Sequence, residues 1–290
     1  IDPNVLLKAR QLLNMFLVYA NCKIETERLL YLRLNQAKLR ADNYVHLRDQ
    51  VAGDKDVNDI GVQFILPSTY VGSPRYMHAK CQDGLTLVRR YGKPDLFITF
   101  TCNPKWEEIQ MYLQPGQQAI DRHDIVARVF NLKRNKLMEM IKKADVFGLP
   151  LCHLHTVEWQ KRGLPHCHIL VWLEERLHTR DIDKVISAEI PDPHKDPELH
   201  ELVLQHMIHG PCGERNKKSP CMNNKDKSCE KHYPKDFVAN TVTDESGFIN
   251  YRRRNPEDGG FTGEIKARGR DTIKVTRLMI NFSFLIVKLI

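Results

Sequence analysis

Apolar positions recur along this chain with two different periods, and the switches between them mark out its elements. From Asn4 to Ala20, Leu6, Leu13 and Leu17 with their neighbours form one helical stripe. From Glu25 to Val51, Leu30, Leu34, Ala37, Ala41 and Tyr44 do the same, so a second, longer helix is expected, its outer side alternating in charge as solvated faces do. Gly53 to Gly61 reads as loop. A helix over Tyr76–Tyr91 is stopped by Gly92 and Pro94. The period then falls to two: Leu96, Ile98 and Phe100 share one face of a strand spanning Asp95–Thr101, closed by Asn103-Pro104. A short helix over Trp106–Tyr112 and a longer one over His123–Lys143 follow. Next, His153–Trp159 and the β-branched, aromatic run ending at Leu173 flank a loop from Gln160 to Pro165, which predicts a β-hairpin. Helices around a mostly antiparallel sheet make the fold class α+β.

Beyond His178 the pattern fades. Asp, Pro and His enrich 181–197, and the stretch 210–234 is rich in Cys, Lys and Asn with little apolar content. We therefore divide the chain into an N-terminal helix (1–24), a main domain (25–176), a Cys/His-rich and basic extension (177–271) and a divergent tail (272–290).

The 290 residues suffice for a sizeable core. A net charge of +8 favours an anionic partner, nucleic acid above all, although the same balance also serves solubility. No apolar run approaches the roughly 20 residues that cross a bilayer, and no secretory leader is present, so no membrane partner is expected. Eight scattered cysteines fit a reducing compartment. The chain begins at Ile1 without Met, as a fragment or a translated genomic stretch would.

The densest chemistry lies in the hairpin. His166 and His168, two residues apart, share one face of a strand. With the loop placed between Trp159 and Pro165, Glu158 faces His166 and Thr156 faces His168 across the ladder. Two imidazoles and a carboxylate with open positions suit Mg²⁺ or Mn²⁺. A slip of one residue would instead bring His155 opposite His168 and turn Glu158 away, so the third ligand stays open between Glu158 and His155. An isolated His-x-His, such as His153-Leu-His155, is more simply a polar strand edge.

Three blocks in order carry a family likeness: Leu66-Pro-Ser-Thr-Tyr-Val-Gly-Ser-Pro-Arg-Tyr-Met-His78, Gly92-Lys-Pro-Asp-Leu-Phe-Ile-Thr-Phe-Thr-Cys-Asn-Pro-Lys-Trp106 and Lys161-Arg-Gly-Leu-Pro-His-Cys-His-Ile-Leu-Val-Trp-Leu173. They resemble the Rep-like, so-called helicase-like, domain of Helitron transposons, over roughly residues 25–270. The resemblance implies a His-hydrophobe-His (HUH) endonuclease of rolling-circle transposition. It also implies a central antiparallel sheet with the metal hairpin in its middle, a nuclear location, single-stranded DNA as partner, and a helicase domain in the full-length parent. In such enzymes the metal polarises the scissile phosphate while a tyrosine attacks it, leaving a 5′-phosphotyrosyl link and a free 3′-hydroxyl.

The family's tyrosine pair, however, has no counterpart here. After Asp271 the sequence departs from the family and holds no tyrosine, and the tyrosines that follow the metal motif are Tyr233 and Tyr251. No catalytic nucleophile is therefore assigned, and no Gly-x-x-x-x-Gly-Lys-Ser/Thr motif signals an ATPase. This leaves two readings: a nicking and joining domain that is inactive as it stands, or a non-catalytic DNA-binding module with a structural metal site.

Two further groups stand out. His209, Cys212, Cys221 and Cys229 could hold a structural Zn²⁺, but their x2, x8, x7 spacing is no standard finger, and free surface cysteines are an equal alternative. His232 could replace an upstream ligand. Between 251 and 277, eight basic residues oppose four acidic ones. Arg252, Arg253 and Arg254, with Lys161 and Arg162 of the hairpin loop, are expected to follow a phosphate backbone, and Tyr251 and Phe261 to stack bases. Asn103 is expected either to touch DNA or to cap the helix at Trp106.

Overall fold

The computed structural model describes residues 5–39, 65–143, 147–161, 163–209, 212–214, 216–219, 221–223, 227–245, 249–266 and 272–275. The fold is α+β, and the described residues fall into two compact units. One takes those up to Lys93 together with Pro104–Val129; the other takes Pro94–Asn103 and those from Phe130 onward.

The first unit holds α1 (Val5–Lys8), α2 (Leu12–Leu34), α3 (Pro74–Tyr91), α4 (Glu107–Gln110) and the start of α5 (His123–Lys143). The two helices expected at the N-terminus are corrected: α2 runs unbroken through 20–25, because Asn21, Lys23 and Thr26 are polar without being breakers. The expected helix beyond residue 39 and the loop at 53–61 lie outside the described residues. Before α3, Ser73 is buried; its hydroxyl donates to the Pro67 carbonyl (3.1 Å) and accepts the Tyr76 N–H (3.1 Å), which makes it the N-cap. Pro74 fills the first helical position, where its missing N–H is harmless, and Gly92 ends the helix at φ 77°. The Tyr70 hydroxyl donates to Glu25 Oε2 (2.5 Å), tying this turn to α2.

The second unit is built on a three-stranded antiparallel sheet in the order β1 (Leu96–Thr101), β3 (Pro165–Leu173), β2 (Pro150–Trp159). Period-two alternation gives it two distinct faces. Ile98, Phe100, Cys167, Ile169 and Val171 lie on one, and α5 covers this side: the Phe130 ring stacks on Phe100 (centroids 5.2 Å), while Leu137, Met138 and Ile141 continue the buried stripe of that helix. Burial lowers the pKa of His153 and His155, helped at both by the charge of Lys142 and at His155 by that of Arg134, so the neutral form of each is favoured on the helix side. Asp95 closes the sheet at one end, its carboxylate accepting the N–H groups of Leu173 (2.9 Å) and Leu177 (3.3 Å).

A second apolar cluster follows, with Ala188, Ile190, Val203 and Met207 buried and Tyr251 packed against them. Here the arginines expected to meet DNA also have partners within the protein. Arg254 places Nε and Nη2 on the two carboxylate oxygens of Glu189 (2.8 and 2.7 Å), and its backbone N–H donates to the same group (2.9 Å). Arg252 lies 3.5 Å from Glu189 and 3.7 Å from Asp183. Arg253 is 6% exposed, bridged through its backbone to Val238, its Nη1 donating to the Tyr251 carbonyl (3.3 Å). Charge run alone could not reveal this, because the acidic partners sit more than 60 residues upstream.

Burial pushes the Glu189 carboxyl up, but the hydrogen bonds and charge of Arg254 outweigh it and hold the pKa below the usual range. A carboxyl depressed in the folded state stabilises above its unfolded pKa of about 4.3 and loses that contribution as pH falls. Glu189→Gln should therefore cost about 1–3 kcal/mol in urea unfolding at pH 7. The deficit should shrink as pH is lowered below about 4.

Candidate metal centre

The pairing register brings three rows of side chains onto the sheet face opposite α5. Thr101, His166 and Glu158 are directly aligned across β1, β3 and β2; Thr99, His168 and Thr156 form the next row, and Phe97, Leu170 and Leu154 the one after. His155 pairs with Ile169, on the other face. The hairpin loop that sets this register is short: Gln160 N–H donates to the Leu164 carbonyl (2.9 Å), Gly163 N–H to the Gln160 carbonyl (2.8 Å), and Gly163 takes φ 72°, where a side chain would be strained.

One ligand atom each from Glu158, His166 and His168 lies within 4.8 Å of the others. His168 Nε2 is 3.4 Å from Glu158 Oε1, and an octahedral cation with bonds of about 2.1 Å asks for edges near 3.0 Å. The two rings meet edge to face with centroids 4.5 Å apart. His166 is 5% exposed, whereas Glu158 is 59% exposed, so the group is walled on one side and open on the other.

Both imidazoles are held by β1. Thr101 Oγ1 lies 2.6 Å from His166 Nδ1. With Nδ1–H donated to that hydroxyl, Nε2 keeps its lone pair for a cation, the arrangement that ligating histidines require. The Phe97 ring stacks on His168 with centroids 5.4 Å apart and an interplanar angle of 6°. Buried His168 Nδ1 has no hydrogen-bond partner. Desolvation lowers the pKa of His166, and the neighbouring His168 lowers it further against the opposing pull of Glu158, so the neutral, ligating form is favoured. Two imidazoles and one carboxylate, converging and partly open, fit a divalent cation.

Thr101 and Phe97 are the residues that sequence reasoning missed. Their signal was the alternation Phe97-x-Thr99-x-Thr101, the polar half of a strand read only through its apolar half.

Lys161 is exposed in the hairpin loop; Arg162 lies outside the described residues. Asn103 follows β1 and is not the helix cap, since Trp106 occupies that position at α4, with no side-chain cap bond. Neither downstream tyrosine is poised to ionise. Burial pushes Tyr233 up to about 12, and its ring is stacked on His209 (centroids 4.4 Å); burial likewise raises Tyr251. The second predicted group also converges: His209, Cys212, Cys221 and Cys229 offer ligand atoms all within 4.8 Å of one another. His232 is exposed and outside that group. Among the described residues, no helix is long and apolar enough to cross a membrane.

A family model described as the Helitron helicase-like domain at the N-terminus matches residues 1–171, more than half of the chain. No curated protein is similar enough to match it. The matched stretch includes Thr101, Glu158, His166 and His168, together with every strand of the central sheet nearly to its end. The chain thus belongs to the Helitron helicase-like N-terminal domain family.

Proposed function

We propose that this chain is the metal-dependent, single-stranded-DNA-handling portion of a Rep-like rolling-circle transposase. The alignment of Glu158, His166 and His168 on an open sheet face carries this reading. A divalent cation such as Mg²⁺ or Mn²⁺ bound there would supply electrophilic polarisation of a phosphate oxygen. The chain's own residues do the rest: His166 and His168 present ring nitrogens, Thr101 fixes the His166 ring, and Glu158 faces solvent where a phosphate can approach. Phe97, 59% exposed beside His168, offers a surface on which a base can stack, and Lys161 a charge for the backbone.

Neither described tyrosine that follows the metal motif is suited to attack the phosphate. Tyr233 and Tyr251 are packed, and burial disfavours their phenolates. We therefore read this polypeptide as binding metal and single strands without efficient nicking. The non-catalytic module is the same reading with chemistry removed, and a 5′-phosphotyrosyl adduct separates the two. Incubated with single-stranded DNA and Mn²⁺, the chain should form no covalent adduct; one that is lost in Tyr251→Phe would overturn the assignment. Binding to single strands should exceed binding to duplex and weaken as salt rises.

The metal site itself is tested by titrating Mn²⁺ calorimetrically. His166→Ala with His168→Ala should abolish binding. Thr101→Val, which keeps shape but removes the hydroxyl, should weaken it about 10- to 100-fold, with Thr101→Ser restoring most of the loss. Equal affinity in wild type and the double variant would refute the site.

A further inference from the structure

We propose that His209, Cys212, Cys221 and Cys229 bind one Zn²⁺ tetrahedrally, and that this ion holds together the stretch between α6 (Pro197–His206) and β4 (Val242–Thr243). The need for it is visible in the packing. Among the described residues of 209–233 there is no helix and no laddered strand, only the isolated bridges Gly213↔Asn216 and Met222↔Cys229. Among them the one buried apolar side chain is Cys229 itself, and the neighbouring apolar cluster includes no residue of this stretch. Asn216, Lys217, Lys218, Ser219 and Asn223 supply no core. Apolar burial cannot order such a segment, whereas a structural ion can.

The geometry fits zinc closely. Tetrahedral bonds of about 2.3 Å to sulfur and about 2.0–2.1 Å to nitrogen imply ligand–ligand edges of about 3.5–3.8 Å. His209 Nε2 is 3.1 Å from Cys221 Sγ and 3.5 Å from Cys229 Sγ. The backbone is arranged around the cluster: Glu230 N–H donates to the Cys221 carbonyl (2.8 Å), and Gly213, directly after Cys212, turns at φ 71°. Around it, Ser219 Oγ sits 3.2 Å from Cys221 Sγ, where a hydroxyl can donate to a thiolate, and the Tyr233 ring covers His209. Contacts of this kind orient ligands and fix their protonation. All four cysteine and histidine groups are reduced or free to ligate, since every cysteine of the chain is a free thiol.

Ligand chemistry chooses the metal. Three thiolates and an imidazole, with no carboxylate, select Zn²⁺ over Mg²⁺ or Mn²⁺. Four protein ligands also close the coordination sphere, so the ion is structural and leaves no position for substrate. It is therefore independent of the Glu158, His166 and His168 group and of any reading placed on that group. Its mechanical role follows from what leaves the cluster: Tyr233 sits on His209, and the chain then reaches Val238, whose backbone pairs with buried Arg253.

The test uses the full chain, purified under reducing conditions from zinc-supplemented culture. Elemental analysis should find one zinc per chain, and cobalt exchange should give the d–d bands of a tetrahedral site together with a thiolate-to-cobalt charge-transfer band. Cys221→Ser should release the metal and with it the charge-transfer band, while His166→Ala with His168→Ala should retain both. Should Cys221→Ser fail to fold, the wild type still decides: a zinc chelator should speed proteolytic cleavage within 209–241, and added Zn²⁺, but not Mg²⁺, should reverse it. Zinc far below stoichiometry without a thiolate–cobalt band, or a disulfide between Cys212 and Cys221 under reducing conditions, would overturn the proposal.

Discussion

The two-sided pairing of β3 is the constraint on which the rest depends. Thr101 on one neighbour and Glu158 on the other both align with His166, so a distant strand and the local hairpin contribute to one row of three side chains. Because strand side chains alternate, a slip of one residue in β2 would put Val157 or Trp159 opposite His166 and send the carboxylate to the helix-covered face. The same slip in β1 would carry Thr101 away. Anchors at both ends resist this: Asp95 receives the N–H groups of Leu173 and Leu177, Cys102 N–H reaches the Pro165 carbonyl (3.1 Å), and the Gly163 loop fixes the hairpin.

The two faces of that sheet have opposite tasks. One is sealed by Phe130, Leu137, Met138 and Ile141 of α5, which buries Cys167, Ile169 and Val171 in the centre of β3. The other keeps His166 nearly closed and Glu158 open, which lets a buried scaffold hold ligands rigidly while their charge remains accessible. Hard oxygen and imidazole donors gather here, and soft thiols gather at Cys212, Cys221 and Cys229. The chain thus separates its two ligand groups by chemistry as well as by place.

Much of this was legible in the sequence, for reasons that differ by element. The helix His123–Lys143 carries strong period-3.6 patterning and has those same bounds in the structure; α3 begins two residues earlier than read, because Ser73 caps it and Pro74 starts it. Local loop chemistry sufficed to anticipate which residues of β2 face His166. Alternation revealed β1 as a strand, but nothing local could reveal its pairing with β3 about 65 residues away; the roles of Thr101 and Phe97 emerge only when that pairing is known. The partners of the basic run at 252–254 were hidden for the same reason. Its countercharges, Asp183 and Glu189, come from far upstream, and a charge run reads as solvated until its partners are placed. The unbroken α2 reflects the weakness of polar residues as helix breakers.

The account stands or falls on whether two imidazoles and a carboxylate share one hard cation. Electron spin echo envelope modulation of Mn²⁺ added to the purified chain reads this directly, through the magnetic coupling of the ion to ligand nitrogens. Two imidazole nitrogen couplings, reduced to one in His168→Ala, are the predicted result. A spectrum of fully hydrated Mn²⁺ with no nitrogen coupling would contradict it.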